Sequence, residues 1–464
     1  GWVIGLSMLS TSISSVTFLA FPANAFKSDW RNLVMNLTLP LVAIVAVVVF
    51  IPFFRRGNLT SAFEYLGQRF GPFARLYGTV SFIFLQLLRL ATVLFLVAIP
   101  IHLVTGAPMP MAIVITGIFV ALYTVIGGIE AVIWTDVVQS FVLWFGGLIC
   151  LICIVVALPG GMGQIFEVGT QHEKFYLGSL DFNLGEGTFW TLALLGIFEW
   201  LGMFCKDQNV VQRYVSAKST REARKATILF ALIAVPTWVF FFFLGTSVFV
   251  YYLAFPDPVV ATLKPEAVLP HFILHQLPVG IAGLVLAGVL AAAMSSLDSS
   301  INAIATITTV DLLKPFLAKG RTDRFYLRSA RIVACGAAVL MIVGAVLFTR
   351  IERTSINDLT WGIASIFGGS LVGLFLLGFF SRRVDRFAVT ISLIVAVVFN
   401  VYLGLSLSGH LPAVITINVH KLSIGPLVNL LFILLAYVIS LVRRPTPQSL
   451  DGLTVWTLNH GDER

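Results

Sequence analysis

The chain has 464 residues, 58% of them hydrophobic and only 11% charged, with a formal net charge of +8 and a mean hydropathy of +0.96. That balance excludes an ordinary water-soluble protein of this length, and the basic excess does not point to nucleic acid, because its distribution has another explanation. Repeated apolar runs of about 20 residues, the length that crosses a bilayer core, define an all-α polytopic membrane protein.

In chain order, the runs predict crossings at 3–21, 33–54, 74–104, 109–127, 129–158, 188–205, 224–253, 279–312, 325–350, 357–380, 384–407 and 421–442. The run 74–104 exceeds what a bilayer needs and must tilt or protrude. A tight turn at Gly127-Gly128 separates the fourth crossing from the fifth. Of the 30 Lys and Arg, 22 lie in the even-numbered loops and the C-terminal tail, seven in odd loops, and Arg89 is the one left inside a span. This asymmetry places the even loops, the tail and Gly1 in the cytoplasm. The opening "GWVIGLSMLS" has no initiator Met, charged flank or signal pattern, so the chain is expected to begin inside a longer product. Loop 159–187 reads as a surface lid or a passive connector, and loop 206–223 as basic and partly helical. Cys150, Cys153, Cys205 and Cys335 fall in or beside apolar runs and read as small buried hydrophobes rather than disulfide or zinc ligands.

Ionisable residues inside spans are costly and face a bundle interior or a watery cavity. They are Arg89, Asp136, Glu199 and Asp298. Arg89 sits midway along its run, out of snorkelling range, and is either a structural ion-pair partner of one of the acids or a fork for a substrate carboxylate. Glu199 would bind substrate hydroxyls or neutralise Arg89. Asp136 is either an interface carboxylate or a cation or proton site. The stretch "AAAMSSLDSSINA" (291–303) places Ala292, Ser295 and Ser299 on one helical face, with Ser296 and Asp298 on its flanks. Single serines in membrane helices usually bond back to their own backbone; four serines and an aspartate within six residues ask for a polar partner. In the first run, Ser10, Thr11, Ser12, Ser14, Ser15 and Thr17 weaken the helix, and an interrupted helix bares carbonyl oxygens of the kind that bind hard cations. Five spans followed by five entering from the opposite side suit an inverted repeat.

The stretches "SISSVTFLAFPANAF" (12–26), "GGIEAVIWTDVVQS" (127–140), "DQNVVQRYVSAKS" (207–219) and "AAAMSSLDSSINAIATI" (291–307) resemble the sodium:solute symporters, over nearly the whole chain. "FPANAFKSDW", "IPFFRR", "TSAFEYL" and the lone Arg89 are similar to the bacterial sialic acid symporters within that family. The resemblance implies a leucine-transporter-type five-plus-five inverted repeat with extra C-terminal helices and without the extra N-terminal helix. It divides the chain into a first repeat (1–158), an extracellular loop (159–187), a second repeat (188–380), two additional helices (381–442) and a cytoplasmic tail (443–464). It implies one Na⁺ held by the carbonyls of Ser10, Ile13 and Ala292 and the hydroxyls of Ser295 and Ser296. A second Na⁺ site maps to Asp136, Ser295, Asp298 and Ser299; Asp298 replaces a serine of the sialic acid carriers, so a shared proton is the alternative. Substrate positions map to Ser12, Ser14, Thr17, Asn32, Asn36 and Arg89, with Glu199 added from its own place in a span.

The function these readings imply is a secondary active transporter of the bacterial inner membrane. It couples Na⁺ entry to uptake of a small carboxylated solute, sialic acid favoured, and works as a monomer without organic cofactor or nucleic acid. The alternatives are a sodium-coupled sugar or organic-anion symporter and a transporter-like sensor; a channel lacks its ring of filter carbonyls. No nucleophile–base or metal-spaced histidine pattern suggests an enzyme.

Overall fold

The computed structural model describes residues 5, 8–9, 16–56, 61–183, 185–215, 217–351, 359–360, 363–364, 368–407, 412, 417, 420–443 and 449–457, without the side chains at 56, 123, 125–140, 291, 292 and 295. Among the described residues there are helices and no strands. A widened turn, Val16–Ala20, leads into the short helix α1 (Phe21–Lys27), whose Pro22 sits in the first turn where a missing N–H costs nothing. The second span, α2 (Arg31–Arg55), is interrupted at Thr38 ahead of Pro40. There follow α3 (Ala62–Phe70), capped by Ser61, and the long α4 (Pro72–Thr105). Next come α5 (Met109–Ala157), α6 (Gly161–Gln171), α7 (Phe189–Lys206), α8 (Gln208–Val215) and α9 (Thr220–Ala254). The remainder is α10 (Pro265–Gln276), α11 (Val279–Ile307), α12 (Asp323–Phe348), α13 (Leu371–Phe380), α14 (Arg386–Leu407) and α15 (Ile424–Val442).

Seven of the described helices are long and apolar enough to cross a bilayer, and shorter apolar helices run over Met109–Leu122, Val279–Leu290 and Leu371–Phe380. The exterior is apolar where a lipid-facing surface should be. Leu41, Ile44 and Val48 lie exposed along one stripe of α2, as do Val339, Val343 and Leu347 on α12. Cys150 and Cys205 are buried as expected and all four thiols are free, but Cys335 faces outward on α12.

Helical backbone continues through Gly127-Gly128, so α5 spans 49 residues, about 74 Å if straight. Its packing partners come from α4, α12 and α11. Gly117 lies against Leu94 and Ile342, and Thr124 hydrogen-bonds Asp298. Val142 then meets Gly288, and Gly146 meets Val285. Along α11 these partners lie about 28, 13 and 9 Å from Val279. From Thr124 to Gly146 the contacts step along α11 in one direction, and the tight turn expected at Gly127-Gly128 is helical backbone instead.

Two glycines allow helices to touch. A Cβ on Gly245 of α9 would sit 2.3 Å from the Pro22 carbonyl oxygen of α1, and one on Gly196 of α7 would sit 2.3 Å from that of Met35 in α2. Aromatic pairs close the first of these contacts, Phe18 with Phe241 and Phe21 with Phe242. The helix pairs α1–α9 and α2–α7 are thus built alike, and α4 packs on α12 while α5 packs on α11.

Candidate functional site

A cavity of about 310 Å³ opens inside the bundle. Its α4 wall carries Gln86, Arg89 and Thr92 at i, i+3 and i+6, one helical face. Opposite them α7 contributes Glu199 and, at its end, Lys206 and Asp207. The turn before α1 supplies Thr17, buried at 1% exposure, and α2 supplies Asn36. Two tryptophans form an apolar side: Trp200 stacks on Trp238 with ring centroids 5.1 Å apart, and its indole N–H donates to the Met35 carbonyl at 3.0 Å. That bond and the Gly196 contact fix α7 against α2, which sets where Glu199 points.

The electrostatics are mixed. Arg89 Nη1 lies 4.0 Å from Asp207 Oδ2, and the arginine side chain remains 35% exposed. Asp207 is thus an acid within reach of Arg89, and Glu199 lines the same cavity beside Lys206. Gln86 Oε1 is buried with no hydrogen-bond partner among the described residues, an acceptor open to a donor in the cavity. A site with one fork-shaped cation, carboxylates, amides and an indole wall suits a small solute bearing a carboxylate and hydroxyls.

Of the residues expected to bind solute, Thr17, Asn36, Arg89 and Glu199 come together on this cavity. Asn32 does not: it sits in the 3₁₀ turn Arg31–Leu33 and is not among the lining residues. Ser12 and Ser14 lie outside the described residues. Gln86, Lys206 and Asp207 escaped the sequence reading. The first shares a face with Arg89 and was legible from that spacing; the other two read as loop because they end an apolar run.

Among the cation candidates, Ser10 and Ile13 lie outside the described residues, as do the side chains of Asp136, Ala292 and Ser295. Ser296 is 2% exposed on α11, and its hydroxyl has no hydrogen-bond partner among the described residues. A buried, unpaired oxygen facing no protein donor is what a desolvated cation would use. Asp298, 3% exposed, bonds the Thr124 hydroxyl, which also reaches the Val120 carbonyl at 2.7 Å. Ser299 is half-buried. Among the described side chains, none from α11 lines the cavity.

A bundle of apolar-surfaced helices around an internal cavity that holds Arg89, Glu199, Lys206 and Asp207 has the make-up of a membrane transporter. Residues 1–414 match the family model described as "Sodium:solute symporter family", and the chain belongs to that family. It is 33% identical over 386 residues to the sodium/sialic acid symporter NanT of Aliivibrio fischeri, covering 83% of this chain and 76% of that one. It is 31% identical over 399 residues to the sodium/sialic acid symporter SiaT of Proteus mirabilis, covering 86% and 80%. The fold superposes with a TM-score of 0.82 and 28% identity on a Na⁺-coupled sialic acid symporter solved in a substrate-bound outward-open state, over 97% of this chain and 91% of that one. The architecture is accordingly the leucine-transporter type, and the protein is a sodium-coupled solute transporter rather than an enzyme.

Proposed function

We propose that this chain imports a carboxylated, hydroxylated solute, sialic acid first among candidates, and that Arg89 holds its carboxylate. The observation that carries the reading is the placement of Arg89 on one cavity with Glu199, Asn36 and Thr17. A guanidinium presents two parallel N–H groups to a carboxylate, while Glu199 and the amide of Asn36 suit hydroxyls. The likeness to two sialic acid symporters supports this choice of solute.

Coupling follows if one Na⁺ bridges the carbonyls of Ser10, Ile13 and Ala292 and the hydroxyls of Ser295 and Ser296. The ion would then tie the segment leading to Thr17 against α11, so that solute and cation stabilise one conformation together. The Ser296 hydroxyl, buried without a hydrogen-bond partner among the described residues, supports this site. Asp136, Ser295, Asp298 and Ser299 form the candidate second site, making the count one or two. In this reading residues 1–158 and 188–380 are the inverted repeats. Loop 159–187 is extracellular, 381–442 contributes two added helices, and the tail 443–464 and the chain's first residue are cytoplasmic. The like construction of the α1–α9 and α2–α7 contacts supports the repeat. The protein acts as a monomer in a bacterial inner membrane.

Equilibrium binding of sialic acid and its neutral amide to the purified protein in Na⁺ tests the solute assignment. Tighter binding of the acid is expected. Equal affinities would make Arg89 a structural partner of Asp207, and the reading would pass to a sodium-coupled carrier of neutral sugars, which Glu199 and Asn36 also suit.

A further inference from the structure

Lys174 lies in the loop between α6 and α7, where a lysine is expected to be solvated, yet it is only 5% exposed. Its ammonium donates to the carbonyls of Phe26 at 2.7 Å, Ser28 at 2.9 Å and Ala25 at 3.4 Å. It also lies 3.8 Å from the centre of the Phe249 ring on α9. The three carbonyls are those at the C-terminal end of α1. A helix leaves its last carbonyls without internal partners, and its dipole is negative there. The usual solution is a left-handed glycine just past the end. Here the capping position is Ser28, at φ −126 and ψ −114, and it closes only the Asn24 carbonyl. The remaining carbonyls are served by a residue 146 or more positions further along the chain. Three N–H donors on one charge match three acceptors.

The loop is built to deliver this group. Glu173, immediately before it, takes the left-handed conformation at φ +53, which a non-glycine residue adopts only when its surroundings require it. The Lys174 amide bonds the Gly169 carbonyl at 2.8 Å, and the Trp30 amide bonds the Tyr176 carbonyl at 3.2 Å. Phe166 and Phe175 pack on Phe243 of α9, and Phe175 meets Trp30. The other end of the clamped segment is the cavity wall: Val16, Thr17 and Phe21 all line it. Along α1, Phe21 on the cavity wall and Ala25 at the clamp are four residues apart, about 6 Å of helix.

We propose that Lys174 is a positioning residue for transport: through the C-terminal end of α1 it holds the cavity wall, and the chain leading into it, in the binding-competent place. Loop 159–187 is then a working strap rather than a passive connector. Burial lowers the Lys174 ammonium to about 8, against the opposing charge of Asp29, in keeping with an amine held for its contacts rather than for solvation. If the competent arrangement becomes a smaller fraction of the population, apparent affinities for Na⁺ and solute fall together by that fraction.

The test is Na⁺ titration of the purified full chain, read by tryptophan fluorescence without solute, together with uptake kinetics, for wild type, Lys174→Met and Lys174→Arg. Lys174→Met is expected to raise the half-saturating Na⁺ and the solute KM by about tenfold each, the size of one lost charge-assisted hydrogen bond, with Vmax little changed. Lys174→Arg, which keeps charge and donors, recovers most of the loss. Wild-type Na⁺ affinity in Lys174→Met overturns the proposal. If that variant does not fold, Phe249→Leu, which removes the ring beneath the ammonium, replaces it. A smaller rise in half-saturating Na⁺ is then expected, and no rise overturns the proposal. Because the Na⁺ titration needs no solute, a wrong solute assignment leaves this result readable.

Discussion

Arg89 and Asp207 face each other across 4.0 Å, too long for a hydrogen-bonded pair and close enough for each charge to steady the other. The arginine comes from the middle of α4 and the aspartate from the residue that ends α7, so the pair joins two walls of the cavity. A solute carboxylate entering that gap would meet the two parallel N–H groups of the guanidinium. Arg89→Lys keeps the charge and loses the fork, and should weaken solute binding by about 1–3 kcal/mol. Titration calorimetry with the acid checks this; an unchanged affinity would show that the carboxylate is held elsewhere.

Asp298 is the α11 carboxylate assigned to the proposed second cation site. Buried against Thr124, it is expected to add a carboxylate to the second cation site. Asp298→Asn should then lower the Na⁺:solute ratio obtained from reversal potentials in proteoliposomes. An unchanged ratio with a flattened pH profile of uptake would identify a proton site. No change in either would make Asp298 an ordinary satisfied side chain.

The seven long apolar helices were legible because crossing a bilayer requires such runs, whereas the turn expected at Gly127-Gly128 is helical backbone. On the cavity, Arg89 and Glu199 were legible because each is a charge within such a run, and Thr17 and Asn36 were named as substrate positions through the resemblance. Lys206 and Asp207 were not, since nothing in "KDQ" distinguishes a solvated loop from the floor of a cavity. Asn32 was placed with Asn36 by the resemblance, but the chain is 3₁₀ over Arg31–Leu33, which rotates side chains by a different angle per residue and parts the two. The burial of Lys174 depends on contacts made across more than 140 residues, which no local pattern records.

The glycine contacts predict a sharp steric cost. A Cβ on Gly196 meets the Met35 carbonyl at 2.3 Å and Thr38 Oγ1 at 2.6 Å, backbone and a short side chain that have little room to retreat. Gly196→Ala should push α7 from α2, lower thermal stability by about 1–3 kcal/mol or more, and weaken solute binding through the displaced Glu199 and Trp200. Thermal unfolding and solute titration check both; a variant with wild-type values would mean that the two helices separate without cost.

Lys174 gives a pH signature of opposite signs. Its ammonium is lowered from 10.5 to about 8, so between those values the unfolded chain binds more protons and folding stability rises with pH. The clamp weakens over the same range, because a neutral amine has two N–H groups for three carbonyls. Neighbouring titratable or charged groups are Asp29, Arg31, His172, Glu173 and Tyr176, and Lys174→Arg is the control that replaces only the amine. Above about pH 8, wild type should need more Na⁺ for half-saturation while its melting temperature holds or rises, and Lys174→Arg should show a smaller change in both. Parallel loss of affinity and stability in wild type would contradict the assignment.

Uptake of labelled sialic acid into proteoliposomes, with and without an inward Na⁺ gradient, for wild type and Ser295→Ala/Ser296→Ala, tests Na⁺-driven import most directly. Wild type should accumulate solute only under the gradient. The double variant should remain folded and lose that dependence, since removing two oxygens from a desolvated cation costs several kcal/mol, on the order of ~2–7 per unmet polar contact. Accumulation that persists when Na⁺ is replaced by K⁺, or a double variant with the Na⁺ dependence of wild type, would contradict the account.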